Sequence, residues 1–189
     1  MLWGAHHGGL EVRTEGGETR LRASFPYGQA AVLSDGARPR KEVIAPRAFA
    51  GRIERGEDIH LLAGHDFNKP LASRAAGTLT LTDGDAALVI EARIGPDMAG
   101  VSYVRDFLSA HAAGLIRGLS PGFRVTPGGE GIEERDGGVL RTVRAADLFE
   151  LSAVTRPAYP EAQIEARDWT AHQDAPDAGL SRALARWRI

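Results

Sequence analysis

Ser120 lies in Gly-Leu-Ser-Pro-Gly-Phe, residues 118 to 123, downstream of His65 in Leu-Ala-Gly-His-Asp and upstream of Leu-Phe-Glu-Leu-Ser-Ala-Val-Thr, residues 148 to 155. A serine hydroxyl is a weak nucleophile at its own pKa and becomes effective when an imidazole takes its proton, so these residue types point to acyl transfer. Pro121 biases Ser120 toward an extended backbone, which suits a nucleophile carried on a strand rather than on a strand-to-helix elbow. Pro121 also lacks an N–H, so an oxyanion beside Ser120 must take its donor from the amide of Gly122 or from a neighbouring loop. Taken singly, a glycine-flanked serine reads as a turn residue and a His-Asp pair as a surface feature.

The elements that must position them are mostly strands. Leu10–Thr14, Leu21–Phe25 and Gln29–Leu33 alternate or follow tight breaks, and Gly77–Thr82 with Ala86–Ile94 reads as a hairpin. In it Leu79 and Leu81 answer Leu88 and Ile90 across Asp83-Gly84, whose glycine permits positive φ. Ala45–Arg55 reads as a helix with Pro46 in its first turn and Phe49 and Ile53 on one face. Asp97 to Gly114 reads as a second helix with a core stripe of Met98, Val101, Val104 and Leu108. Phe123–Thr126 and Val139–Val143 read as strands around an exposed, mobile loop from Pro127 to Gly138, and Leu148–Thr155 as a buried strand.

The 189 residues suffice for one substantial core, read as a domain over 1–166 with a polar-to-basic appendage over 167–189. The chain has no cysteine, which removes disulfides, thiolate catalysis and cysteine-held metals. A net charge of -2 supplies no field for a polyanion, so neither nucleic acid nor a membrane surface is an expected partner. No apolar run of signal-peptide length follows Met1, and none could span a bilayer, which reads as a soluble cytoplasmic protein. His6 and His7 read as a solvated terminus, and His60, His65 and an N-terminal histidine fit no standard metal-ligand spacing. His60 and His111 read as packing or surface residues. The basic end from Arg182 to Arg188 is short and reads as a protein-docking or trimmed tail.

Val43–Phe49, Leu62–Asp66, Gly114–Phe123, Leu148–Thr155 and Pro157–Ala162, taken in order, resemble the prohead (capsid maturation) proteases of HK97-type tailed phages. The resemblance spans roughly residues 20 to 165, and the joint match outweighs the bland reading of each piece. It implies an α+β, mainly β fold, a herpesvirus-assemblin-like β-barrel flanked by helices. It implies a serine endopeptidase that cleaves scaffold, or the scaffolding segment of the major capsid protein, and itself. It places the protein in the bacterial cytoplasm inside the assembling procapsid, with the capsid protein as partner and self-association by dimerisation.

The family's nucleophile matches Ser120, its histidine matches His65, and Glu150 matches the orienting third member. Asp66 competes with Glu150 for that role but, adjacent to His65, points to the other face of a strand. A rival reading makes Glu150 a structural carboxylate paired with an arginine. Ser152 is an imaginable second nucleophile that lacks flanking glycines. No metal or organic cofactor is needed for this chemistry. The chain departs from the family's proline-then-glycine segment at Lys69–Gly77, where Ala72 and Ser73 would alter the cleft rim. The competing function is a catalytically silent assembly or scaffold-binding factor of the same fold. Arginine and alanine greatly outnumber lysine, with Lys41 and Lys69 the only two, which suggests a GC-rich host and suits a prophage or a gene transfer agent alike.

Overall fold

The computed structural model describes residues 10–15, 17–34, 36–116 and 118–155. In chain order the strands are β1 (Glu11–Glu15), β2 (Glu18–Pro26), β3 (Ala30–Ser34), β4 (Arg40–Ile44), β5 (His60–Ala63), β6 (Pro70–Ser73), β7 (Leu79–Asp83), β8 (Ala87–Ile94), β9 (Gly118–Val125), β10 (Glu130–Arg135), β11 (Gly138–Val143) and β12 (Ala146–Val154). With the short helices α1 (Ala50–Glu54), α2 (Pro96–Ala99) and α3 (Ser102–Ala112), the fold is α+β and mainly β, as expected. The appendage over 167–189, the Pro157–Ala162 motif and His6 and His7 lie outside the described residues.

The strands form three four-stranded sheets in the orders β1-β2-β8-β7, β10-β11-β4-β3 and β6-β5-β12-β9. Among the described residues none closes on itself, so the expected closed barrel is not found. Two of the sheets are instead centred on a parallel pair, β4 with β11 and β5 with β12, each flanked by antiparallel neighbours that leave open edges.

The core lies where the inward faces of these sheets meet. β2 and β8 present Leu21, Ala23, Ile90 and Ala92 from one side, while β5, β9 and β12 present Leu61, Leu119, Leu148 and Leu151 from another. Phe49 sits between them, fully buried, with its ring 6.2 Å from Phe25, 6.2 Å from Tyr27 and 5.5 Å from Phe123. Truncating such an aromatic to alanine costs about 3–5 kcal/mol through lost burial and the cavity left behind.

Several expectations need correction. The first helix is shortened to α1, because Arg47 has φ 56° and the carbonyl of Ala48 accepts from Ala146 N–H at 2.7 Å rather than from a helical amide. The second divides into α2 and α3 at an extended Val101, and its fully buried side chains are Val104 and Phe107, with Leu108 only partly covered. Gly114 does cap it: with φ 71° its N–H donates to His111, and Leu115 N–H reaches back to Ala110, the paired bonds of a Schellman end. The β7–β8 hairpin forms with Leu81 opposite Ile90, but Leu79 meets Ala92, Leu88 meets Asp83, and Gly84 does not take positive φ. The segment from Pro127 to Gly138, read as a loop, contains β10. Asp136 and Gly137 carry φ 53° and 73°, the left-handed pair that a two-residue type I′ hairpin turn requires.

In the same sheet Arg141 is 1% exposed and lies 3.0 Å from Glu42 and 2.5 Å from Glu130, so its buried guanidinium is met by two carboxylates. No helix among the described residues is long and apolar enough to cross a membrane.

Candidate active site

β12 builds the site by changing phase. Ala146 and Leu148 face the core in ordinary alternation; then Phe149 forms a bulge, so that Leu148 pairs with Phe123 and Glu150 pairs with the very next β9 residue, Gly122. An inserted residue flips every following side chain to the opposite face. After the bulge Leu151 and Ala153 pack on the core, and Glu150 and Ser152 face the other way. Without it Glu150 would share the core face with Leu148. Phe149 itself turns its ring under the Arg52 guanidinium, 4.3 Å from the ring centre.

On the non-core face the three strands β5, β12 and β9 form two rows. One contains His60, Glu150 and Gly122, the next Leu62, Ser152 and Ser120. Directly opposed residues on paired strands carry their Cβ atoms within about 4.5–5.5 Å, which sets Ser120 beside Ser152. Ser120 and Ser152 have no exposed surface and Glu150 is buried. Gly122 is needed for steric reasons: a Cβ built there would collide with the Glu150 carboxylate.

His65 reaches this face from the loop after β5. Gly64 and His65 both have left-handed φ, 68° and 61°, which doubles the chain back over β12. Gly64 N–H donates to the Ala153 carbonyl at 3.1 Å and His65 N–H to Ser152 Oγ at 2.9 Å. The ring then lies against Glu150, with Nδ1 2.7 Å from Oε1, while the other carboxylate oxygen, Oε2, accepts from Ser152 Oγ at 2.6 Å. A buried carboxylate is costly unless hydrogen-bonded, and both oxygens of Glu150 have partners.

Of the residues singled out from the sequence, His65 and Glu150 are in contact, and Ser120 and Gly122 lie on the same face beside them. Asp66 does not touch the imidazole: it accepts from Asn68 N–H at 2.9 Å and lies 3.4 Å from Lys69, and the Asn68 amide foremost holds its carboxyl below the ordinary range. Glu150 is met by His65 and Ser152 rather than by an arginine. His60 packs its ring edge-on to Phe67 and lies 3.4 Å from Asp58, and His111 meets the Leu10 carbonyl at 3.0 Å. Ala72 is buried in the core, and the half-buried Ser73 accepts from Ala76 N–H through Oγ. Sequence reasoning missed the bridging place of Ser152. It depends on register, and the one local signal was the Leu148-to-Leu151 spacing, which breaks a two-residue period.

A serine, an imidazole held through Nδ1 and a buried carboxylate on one face of a mainly β α+β fold are the groups with which serine hydrolases work. Residues 27–175 match the family model of the caudovirus prohead serine protease, and the chain belongs to that family. No curated protein and no solved structure matches it.

Proposed function

We propose that this chain is the endopeptidase of procapsid maturation, cleaving the scaffolding segment of the major capsid protein, or a separate scaffold, and itself. Ser120 Oγ attacks the scissile carbonyl as His65 takes its proton through Nε2. Glu150 holds Nδ1–H and stabilises the imidazolium that forms. The tetrahedral oxyanion is met by the Gly122 amide or a neighbouring backbone N–H. Collapse breaks the C–N bond, the imidazolium protonates the departing amine, and water attacks the acyl-Ser120 with His65 again as base. Hydrolysis restores the hydroxyl. The chemistry calls for no cofactor. Supporting this reading above all is the 2.7 Å contact between His65 Nδ1 and Glu150 Oε1, one row from Ser120.

One observation favours the alternative, a silent assembly or scaffold-binding factor: Ser120 has no exposed surface. Against it, burying the Glu150 carboxylate beneath a half-exposed His65 costs desolvation that an apolar side chain of similar volume avoids, and a factor that only binds has no use for it. Under the protease reading, substrate access requires the cover over Ser120 to move.

The discriminating experiment is co-expression of the full chain, wild type or Ser120→Ala, with the major capsid protein of the same genome, followed by intact mass of both. Truncation at a defined site only in the wild-type sample supports the protease. Full-length capsid protein in both, with shells still assembling, supports the assembly factor.

A further inference from the structure

We propose that Ser152 is a positioning residue that locks His65 by backbone and ring at once; the inference rests on the protease reading and deepens it. A serine hydroxyl has one proton to donate and lone pairs to accept with. Here the proton goes to Glu150 Oε2 at 2.6 Å, and a lone pair receives His65 N–H at 2.9 Å, so the polarity of the chain of bonds is fixed. Both ends matter. The last torsion of a glutamate is broad, and the carboxylate keeps Oε1 on Nδ1 only if Oε2 is anchored. At the other end His65, with φ 61°, is a residue with a Cβ in the left-handed region, where that Cβ crowds the following carbonyl and disfavours the conformation. Surrounding bonds must hold it there, and two come from β12: Ser152 Oγ on His65 N–H and the Ala153 carbonyl on Gly64 N–H. Because its proton already serves the carboxylate, Ser152 is not the nucleophile. It stands opposite Ser120 with no exposed surface, so the same side chain sets the imidazole that Ser120 needs.

The test uses the full-length chain with 15N-labelled histidine and three variants, Ser152→Ala, Ser152→Thr and Ser152→Val. The first readout is the hydrogen-bonded Nδ1–H proton of His65, expected far downfield in the wild type. It should be lost to solvent exchange in the alanine and valine variants and retained in threonine, which keeps the hydroxyl. The second is the rate at which diisopropyl fluorophosphate labels Ser120, per folded molecule as judged by thermal unfolding. Misplacing a catalytic group by about 1 Å costs on the order of 100-fold, so alanine and valine should label about 10- to 100-fold more slowly and threonine near the wild-type rate. Threonine and valine share a shape, so the comparison survives if alanine does not fold. A downfield proton undisturbed in alanine or valine, or threonine as defective as valine, overturns the assignment. If wild-type Ser120 takes no label and no capsid protein is cut, the protease reading fails separately and the His65 proton alone decides the role of Ser152.

Discussion

Glu150 stays buried because three neighbours each supply something different: His65 a ring nitrogen, Ser152 a hydroxyl, and Gly122 the absence of a side chain. The last is the least replaceable, since the obstructed atoms belong to the carboxylate itself rather than to a loose side-chain tip. Gly122→Ala should therefore push Glu150 off His65, stop capsid processing in the co-expression assay, and lower stability by about 1–3 kcal/mol through an ill-paired buried charge. Wild-type processing by that variant would show that Glu150 does not hold His65 during the reaction. That His65, Ser120 and Glu150 belong together was legible only through their ordered match to the family's motifs, since each alone reads as a surface, turn or structural residue, and the fold does bring them to one face. Ser152 and the steric part of Gly122 were not legible, because they exist only once β9 and β12 are in register.

Strands were legible wherever alternation was clean, as in β2 and β8, and misread where backbone conformation outweighed pattern. The β10–β11 hairpin is the clearest case. Its glycines and glutamates suggested a loop, while Asp136-Gly137, flanked by Ile132 and Val139, carried the turn signal that went unused. Gly137→Val places a β-branched residue at φ 73°, so it should lower stability by at least about 1 kcal/mol while capsid processing per folded molecule is unchanged. Chemical denaturation of the two proteins checks the first part, and a loss of processing without loss of fold would tie this hairpin to the substrate. The helices failed differently. Ala45–Arg55 has a helical stripe, yet Ala48 serves β12 with its carbonyl, a tertiary bond that no local window contains.

At the scale of the molecule, composition and alternation were enough for an α+β, mainly β domain, and the ordered motifs for its family. They could not say how the strands divide into sheets, because the parallel pairs β4–β11 and β5–β12 join segments about ninety residues or more apart. One consequence is a charged cluster inside the β10-β11-β4-β3 sheet. Arg141→Met removes the cation from two carboxylates, of which Glu42 is itself buried, and should cost about 3–5 kcal/mol, the usual penalty for orphaning a buried charge. Adding Glu42→Leu should recover part of that loss. Thermal unfolding of the single and double variants measures it, and an equal or larger loss in the double would show that the cluster is not the source.

The bulge at Phe149 reaches further, into how the gene can change. Everything before it in β12 keeps time with the core, and everything after it is one beat displaced, so that a single strand packs on the core and lines the candidate site from opposite faces. Dropping or adding one codon between Leu148 and Glu150 would exchange those faces for the rest of the strand, sending the Glu150 carboxylate inward and Leu151 outward in one step. Codon 149 can be rewritten, but it cannot be removed.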